Sequence, residues 1–155
     1  MCFTIRKAVL EDLGPALALD REVFGVDAWT VMDYIGVFSN RGVKKFTAES
    51  DGKFAGFAAS ELDKGSGAVC LLTLAVPPQY QRRGIGGSLL GKIESAFGDQ
   101  AVYLYVDERN ETAIRLYRRS GYRQTDVIPG YYMNGHNALV FNKDLRESVP
   151  EGSAS

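Results

Sequence analysis

The spacing of apolar residues changes period several times along the chain, and each change marks a predicted element. Phe3 to Val9 alternates in part and reads as a first strand. Glu11 to Phe24 carries Leu13, Leu17, Val23 and Phe24 with alanines between them, a helical pattern opened by an acidic first turn. Thr30 to Phe38 predicts a second short helix, ended by the turn-like Ser39-Asn40-Arg41-Gly42. Lys45 to Ser50 and Lys53 to Ser60 flank Asp51-Gly52, a dipeptide whose backbone preference matches strand twist, so this stretch predicts a hairpin. Ala68 to Val76 is nearly continuous apolar sequence and predicts a central strand buried on both faces.

The second half repeats a strand–helix rhythm. After Gln81-Arg82-Arg83-Gly84-Ile85-Gly86-Gly87-Ser88, the residues Leu89, Leu90, Ile93, Ala96 and Phe97 fall on one helix face. Ala101 to Val106 predicts a strand with Val102, Leu104 and Val106 on one side and Tyr103 and Tyr105 on the other. Asn110 is placed to cap a helix running to Ser120, which Gly121 ends. Two last strands are expected around Tyr131-Tyr132 and over Ala138 to Phe141. The class is mixed α/β (α+β) around a central sheet, as one domain over 1–146; the tail 147–155 lacks apolar periodicity and is expected to be disordered.

Composition narrows the partners. The 155 residues include 18 Lys and Arg against 19 Asp and Glu, so a broad basic surface for nucleic acid is not expected. No apolar run approaches the roughly 20 residues that span a bilayer, and the first residues lack the apolar segment of a signal peptide. Cys2 and Cys70 make neither a disulfide framework nor a metal-ligand spacing. A cytoplasmic monomer or homodimer, without metal, membrane or nucleic acid, is the expectation.

The glycine-rich stretch carries the candidate chemistry. A dinucleotide fingerprint fails because Leu89 stands where its last glycine belongs. A P-loop fails because Ile93 stands where its magnesium-binding hydroxyl belongs, inside a predicted helix. What remains is a strand entering, glycines turning the backbone and a helix beginning, so that free N–H groups and the positive end of a helix dipole converge. From these residues alone the stretch fits an anion cradle or an ordinary tight turn with solvated arginines.

The string Gln81-Arg82-Arg83-Gly84-Ile85-Gly86 resembles the R/Q-x-x-G-x-G/A signature of the GCN5-related N-acetyltransferase (GNAT) superfamily. The strand Leu71-Leu72-Thr73-Leu74-Ala75-Val76 before it, the segment from Asn110 through Tyr117 to Gly121-Tyr122, and the final Asn137 to Leu145 follow the family's order, so the resemblance covers about residues 3 to 145. It implies a mostly antiparallel sheet splayed between its fourth and fifth strands, with helices on both faces. It also implies transfer of an acetyl group from acetyl-CoA to a primary amine. In that pattern Leu74, Ala75 and Val76 run along the pantetheine arm, and Gln81, Arg82, Arg83, Gly84, Ile85, Gly86, Gly87 and Ser88 hold the diphosphate. Asn110 contacts the cofactor arm, and Tyr117 contacts it and protonates the departing thiolate.

The acceptor side is less defined. Tyr131-Tyr132 and the ending after them resemble ribosomal-protein alanine N-acetyltransferases (RimI-like) and protein N-terminal acetyltransferases, whose paired tyrosines close over the substrate backbone. Trp29 belongs to a segment reminiscent of theirs, and is read as packing residue first and substrate wall second. These relatives place a Glu or His where this chain has Tyr105, so Tyr105 is expected to position a water, with Glu22 as a carboxylate alternative for the base. A protein N-terminus is therefore the leading acceptor. A polyamine, amino acid or antibiotic is the alternative, and a non-catalytic acyl-CoA-binding module comes third. His136 is read as an exposed loop residue, Asp107-Glu108-Arg109 as a solvated turn, and Cys70 as a small buried residue.

Overall fold

A computed structural model of the chain describes residues 2–146. The expected tail from Glu147 lies outside them. Strand β1 (Phe3–Lys7) is followed by a single turn of tighter helix and then α1 (Leu13–Phe24). Asp12 holds that entrance: its carboxylate accepts from both terminal nitrogens of Arg6, at 2.7 and 2.9 Å, and from the Val9 N–H at 2.8 Å. Helix α2 (Val31–Ser39) starts on Thr30, whose hydroxyl accepts the Asp33 N–H while the Asp33 carboxylate accepts the Thr30 N–H.

Strands β2 (Val43–Ser50) and β3 (Lys53–Leu62) form the expected hairpin. Its turn has positive φ at both Asp51 (53°) and Gly52 (76°), the backbone an Asp-Gly pair supplies. Then come β4 (Val69–Ala75), α3 (Ile85–Phe97), β5 (Ala101–Asp107), α4 (Glu111–Arg119), β6 (Arg123–Ile128) and β7 (Ala138–Asp144). The seven strands make one sheet in the order β1-β2-β3-β4-β5-β7-β6.

One expected strand is displaced. Tyr131 and Tyr132 lie in the connection between β6 and β7, and the strand before β7 is Arg123–Ile128. It is an exposed edge strand with no apolar alternation, held by its ladder to β7, so periodicity had nothing to detect.

Two apolar layers sandwich the sheet. Ile85, Leu89, Leu90 and Ile93 of α3 and Tyr117 of α4 pack with Val69, Val102, Leu104 and Phe141. Ala16 of α1 and Tyr34 of α2 pack with Val43, Phe57 and Ala59 on the other side. Full burial of each α3 leucine or isoleucine contributes about 1.5–3 kcal/mol, which ties α3 firmly to the sheet.

The junction that matters for function is between β4 and β5. It is the only parallel pairing among the described residues, and it consists of Val69 with Val102 and Cys70 with Tyr103. Beyond those pairs the strands part. The β4 edge from Leu71 onward then has no strand beside it on that side, while β3 still pairs its other edge as far as Ala75. The splay expected at this point is present.

Candidate active site

The gap between β4 and β5 opens into two cavities that share Val23, Phe24, Leu74, Asn110 and Ala113 in their walls. They form one cleft with two unlike halves.

The first half, about 570 Å³, is walled by the end of β4 (Leu74, Ala75, Val76), the glycine loop and α4. Gln81, Arg82, Gly84, Ile85, Gly86 and Gly87 all line it. The loop is made by backbone conformation. Gly84 has φ 85° at the start of α3, and Arg82 stands at φ 66°, an unusual state for a residue with a Cβ. The first α3 N–H to find a backbone acceptor is that of Ser88, on the Gly84 carbonyl at 3.0 Å. Those of Ile85, Gly86 and Gly87 have no intrahelical partner and stand at the positive end of the helix dipole. A Cβ on Gly86 would lie 3.1 Å from Leu116 Cδ2, so glycine lets α3 and α4 approach closely here.

Three further placements qualify the expected set. Gln81 spans the loop and donates its side-chain N–H to the Val76 carbonyl at 3.0 Å. Arg83 lies over the Tyr80 ring, 5.6 Å from its centroid, and it lines neither cavity. Ser88 also lines neither. Arg115 and Arg119 of α4 do line this half, opposite the glycine loop, and were not anticipated. The two stand four residues apart, about one helical turn, and so share a helix face, which was the available signal.

Such a cavity suits a long anionic ligand. It offers unpaired N–H groups, three arginines (Arg82, Arg115, Arg119) and an open strand edge for an extended arm. These are the requirements of acetyl-CoA, with its phosphates at one end and an amide-bearing pantetheine arm at the other.

The second half, about 390 Å³, lies under α1 and the β6–β7 connection. Tyr117 lines it with its ring buried against Tyr122 and Phe141, at centroid distances of 6.0 and 6.3 Å. Burial, reinforced by Tyr132, pushes its phenol well above the ordinary tyrosine range, so it stays protonated through neutral pH. Asn110 caps α4 by accepting the Ala113 N–H at 3.2 Å and lines both halves. Asn110 and Tyr117 thus face the cleft about two turns apart on one helix.

Tyr105, Trp29 and Tyr132 also line this second half. Tyr105 is 41% exposed and packs edge-on with Tyr103 and tilted with Tyr131, at 6.0 and 5.4 Å. Tyr131 is half-exposed and lines neither cavity, but its ring meets Tyr132 at 5.0 Å. Burial raises the Tyr132 phenol above its usual range, with Tyr131, Asp107 and Asp27 adding to the shift. Trp29 both packs on Tyr34, at 5.2 Å, and walls the cavity, so its two readings coexist. Glu22 points to the exposed surface of α1 and lines neither cavity; its neighbours Val23 and Phe24 do.

Three carboxylates that line the second half were not anticipated as site residues. Asp20 is 2% exposed, and burial raises its carboxyl despite a 2.6 Å hydrogen bond from the Trp29 N–H and one from Tyr34. An acid on the apolar face of α1 was its only sequence signal. Asp27 accepts the Met133 N–H at 2.7 Å. Asp107 is a correction to the expectation of a solvated turn, since it lines the cavity and is bound by the Arg109 N–H (2.9 Å), Asn134 Nδ2 (3.1 Å) and His136 Nδ1 (2.9 Å). Burial opposes its charge, but these donors outweigh burial and hold the carboxyl below the usual range. His136 is correspondingly half-buried rather than an exposed loop residue. Among the described residues, no group of three or more His, Cys, Asp or Glu side chains is arranged to hold a metal ion. No helix among them is long and apolar enough to cross a membrane.

The parted parallel junction, the glycine loop with unpaired N–H groups and the buried tyrosine across the cleft give acetyl-CoA an open edge, anion donors and a proton donor. The model of the acetyltransferase (GNAT) family matches residues 11–122, and the chain belongs to that family. It is 32% identical over 143 residues to an uncharacterised N-acetyltransferase of Methanocaldococcus jannaschii, covering 90% of each chain. It is 31% identical over 114 residues to an N-alpha-acetyltransferase of Sulfurisphaera tokodaii, covering 64% of this chain and 68% of that one. The crystal structure of the ribosomal-protein-S18-alanine N-acetyltransferase from Escherichia coli has the same fold, with a TM-score of 0.82 at 24% identity, over 93% of this chain and 94% of that one.

Proposed function

We propose that the acceptor is the α-amine of a protein or peptide N-terminus. The observation that carries this reading is the two-part cleft, whose acceptor half lies under the aromatic wall of Trp29, Tyr105 and Tyr132, next to Tyr117. The name of the Sulfurisphaera relative points the same way.

In this reading the open β4 edge at Leu74, Ala75 and Val76 pairs with the pantetheine arm, and the free N–H groups of the loop as far as Gly87 cradle the diphosphate, while Ser88 bonds the Gly84 carbonyl. Arg82, Arg115 and Arg119 add charge to that cradle, and Gln81 braces it. The cofactor supplies an activated acetyl thioester, and this chain's residues orient it and manage protons around it. Asn110 steadies the arm at the junction of the halves. Tyr117 keeps its proton for the departing sulfur, whose thiol has an ordinary pKa near 8.5 and so leaves readily as thiolate. Tyr105 positions a water at the cavity mouth, and Tyr131 supports Tyr132 over the acceptor backbone. Glu22 is too far onto the open surface of α1 to serve as the base.

An α-amine has a pKa of about 7.7–8.0 against about 10.4 for lysine, so a weak base suffices for the former and not for the latter. The two cysteines, neither in a disulfide, suit a reducing compartment, and the cytoplasm is the proposed location. A monomer or homodimer suffices, since the cleft is built from one chain.

A small polycationic amine is a second reading, favoured by the carboxylates of Asp20, Asp27 and Asp107 in the acceptor wall. CoA release measured over a panel of peptides, internal lysines and polyamines separates the two. The expected result is a higher kcat/KM for a peptide α-amine. A preference for polyamines would replace the first reading with the second, and binding of acetyl-CoA without turnover on any amine would leave only an acyl-CoA-binding module.

A further inference from the structure

Asp107 and His136 form the one carboxylate–imidazole pair among the described residues. Asp107 ends β5 and His136 sits 29 positions later in the β6–β7 connection, yet Nδ1 approaches both carboxylate oxygens, at 3.1 and 2.9 Å. The carboxylate lines the same cavity wall as Tyr105, Tyr117 and Tyr132. Both side chains are about a quarter exposed, at 24% and 22%, so water reaches them. The imidazole is the chain's single histidine. Its ring nitrogen is held by an oriented carboxylate, and that carboxylate is fixed by the Arg109 N–H and Asn134. This arrangement favours the tautomer that carries its proton on Nδ1 and leaves Nε2 as the acceptor.

We propose that Asp107, which lines the acceptor cavity, and His136, which does not line it but holds Asp107, form its proton-accepting pair, with Asp107 drawing in the acceptor's ammonium and the pair receiving its proton through water. The inference rests on the amine-acetylation reading above and supplies the base that position 105 lacks. One ammonium proton passes to the pair, leaving imidazolium against carboxylate. The freed nitrogen lone pair forms the C–N bond to the thioester carbonyl carbon, and the C–S bond breaks. The sulfur takes a proton from Tyr117, which is restored by the second nitrogen proton. The pair then returns its proton to solvent, so an ammonium and a thioester give an amide, a thiol and one proton. Around the pair, the other charged or titratable groups are Asp20 and Asp27 from the α1 side, Arg109 and Glu108 from the turn after β5, and Tyr105, Tyr117 and Tyr132 from the aromatic wall.

The test is the pH dependence of kcat/KM for a peptide α-amine in wild type, His136→Gln and Asp107→Asn, with acetyl-CoA binding followed by thermal shift. At about pH 6.5 most of the amine is protonated and needs a base, whereas at about pH 9 it is already free. We expect His136→Gln to be at least about 10-fold slower than wild type at the lower pH, with the ratio closing toward one at the higher. Asp107→Asn should follow the same trend, and acetyl-CoA stabilisation should be unchanged in both. A ratio that stays constant with pH, or no loss at all, in an active enzyme overturns the pair as base and leaves the acetylation reading intact. His136 lies in a loop, so its variant carries the test even if Asp107→Asn fails to fold. A wild type that turns over no amine overturns both.

Discussion

The backbone N–H of Trp29 is bound to the buried carboxylate of Asp20 at 2.6 Å. This one contact ties the segment between α1 and α2 back onto α1, and so sets the wall of the acceptor cavity that both residues line. It is made by a charged group in a place where burial disfavours charge.

That conflict predicts a pH-dependent stability. Because the folded-state pKa of Asp20 is raised, the folded chain holds its proton more tightly than the unfolded chain does. The contribution of Asp20 to stability is therefore fully present at acid pH and declines as pH rises through the raised pKa. Asp20→Asn keeps an oxygen for the Trp29 N–H and removes the buried charge, so at neutral pH it should not lower the Tm. Asp20→Ala strands the donor and should cost about 1–3 kcal/mol by denaturant unfolding. It should also raise KM for the acceptor more than for acetyl-CoA. Equal stability of the Asn and Ala variants would show that the Trp29 bond does not hold this wall.

Tyr117 is expected to act through its hydroxyl alone. Tyr117→Phe preserves the ring packing on Tyr122 and Phe141, so stability and acetyl-CoA affinity should stay close to wild type. Loss of the proton donor should lower kcat by about 100-fold or more. Since burial raises the Tyr117 phenol, kcat in the wild type should show no alkaline decline before about pH 10, the ordinary tyrosine value. An unchanged kcat in the Phe variant would remove Tyr117 from the reaction.

The diphosphate cradle is expected to depend on Gly84 for conformation rather than for space. No atom lies within 4 Å of a Cβ built there, but φ is 85°. Gly84→Ala should therefore lose about 1–2 kcal/mol of stability, the usual cost of a side chain in left-handed backbone. With the loop relaxed, the stabilisation by acetyl-CoA in a thermal-shift titration should shrink. Full retention of that stabilisation would mean that the loop conformation is not what binds the cofactor.

Local pattern located most of the fold. The hairpin at Asp51-Gly52, the buried run at β4, the amphipathic α3 and the capped α4 follow from period, turn chemistry and capping, all of which act between residues close in the chain. The edge strand β6 escaped because Arg123 to Ile128 pairs through its backbone and leaves its side chains in solvent.

The cofactor half of the cleft was legible for the same reason. The loop from Gln81 to Ser88, the β4 edge before it and Asn110 to Tyr117 after it are short local segments, and most of their residues line that half. Acceptor chemistry depends on side chains brought together from distant places: Asp20 and Asp27 near the start, Asp107 at the end of β5, and Tyr132, Asn134 and His136 near the end. Only the splay of β4 from β5, and the packing of α1 and the β6–β7 connection over it, puts these groups around one cavity. Burial and partnership then decide what each can do, holding Tyr117 protonated, raising Asp20, and keeping Asp107 charged beside His136.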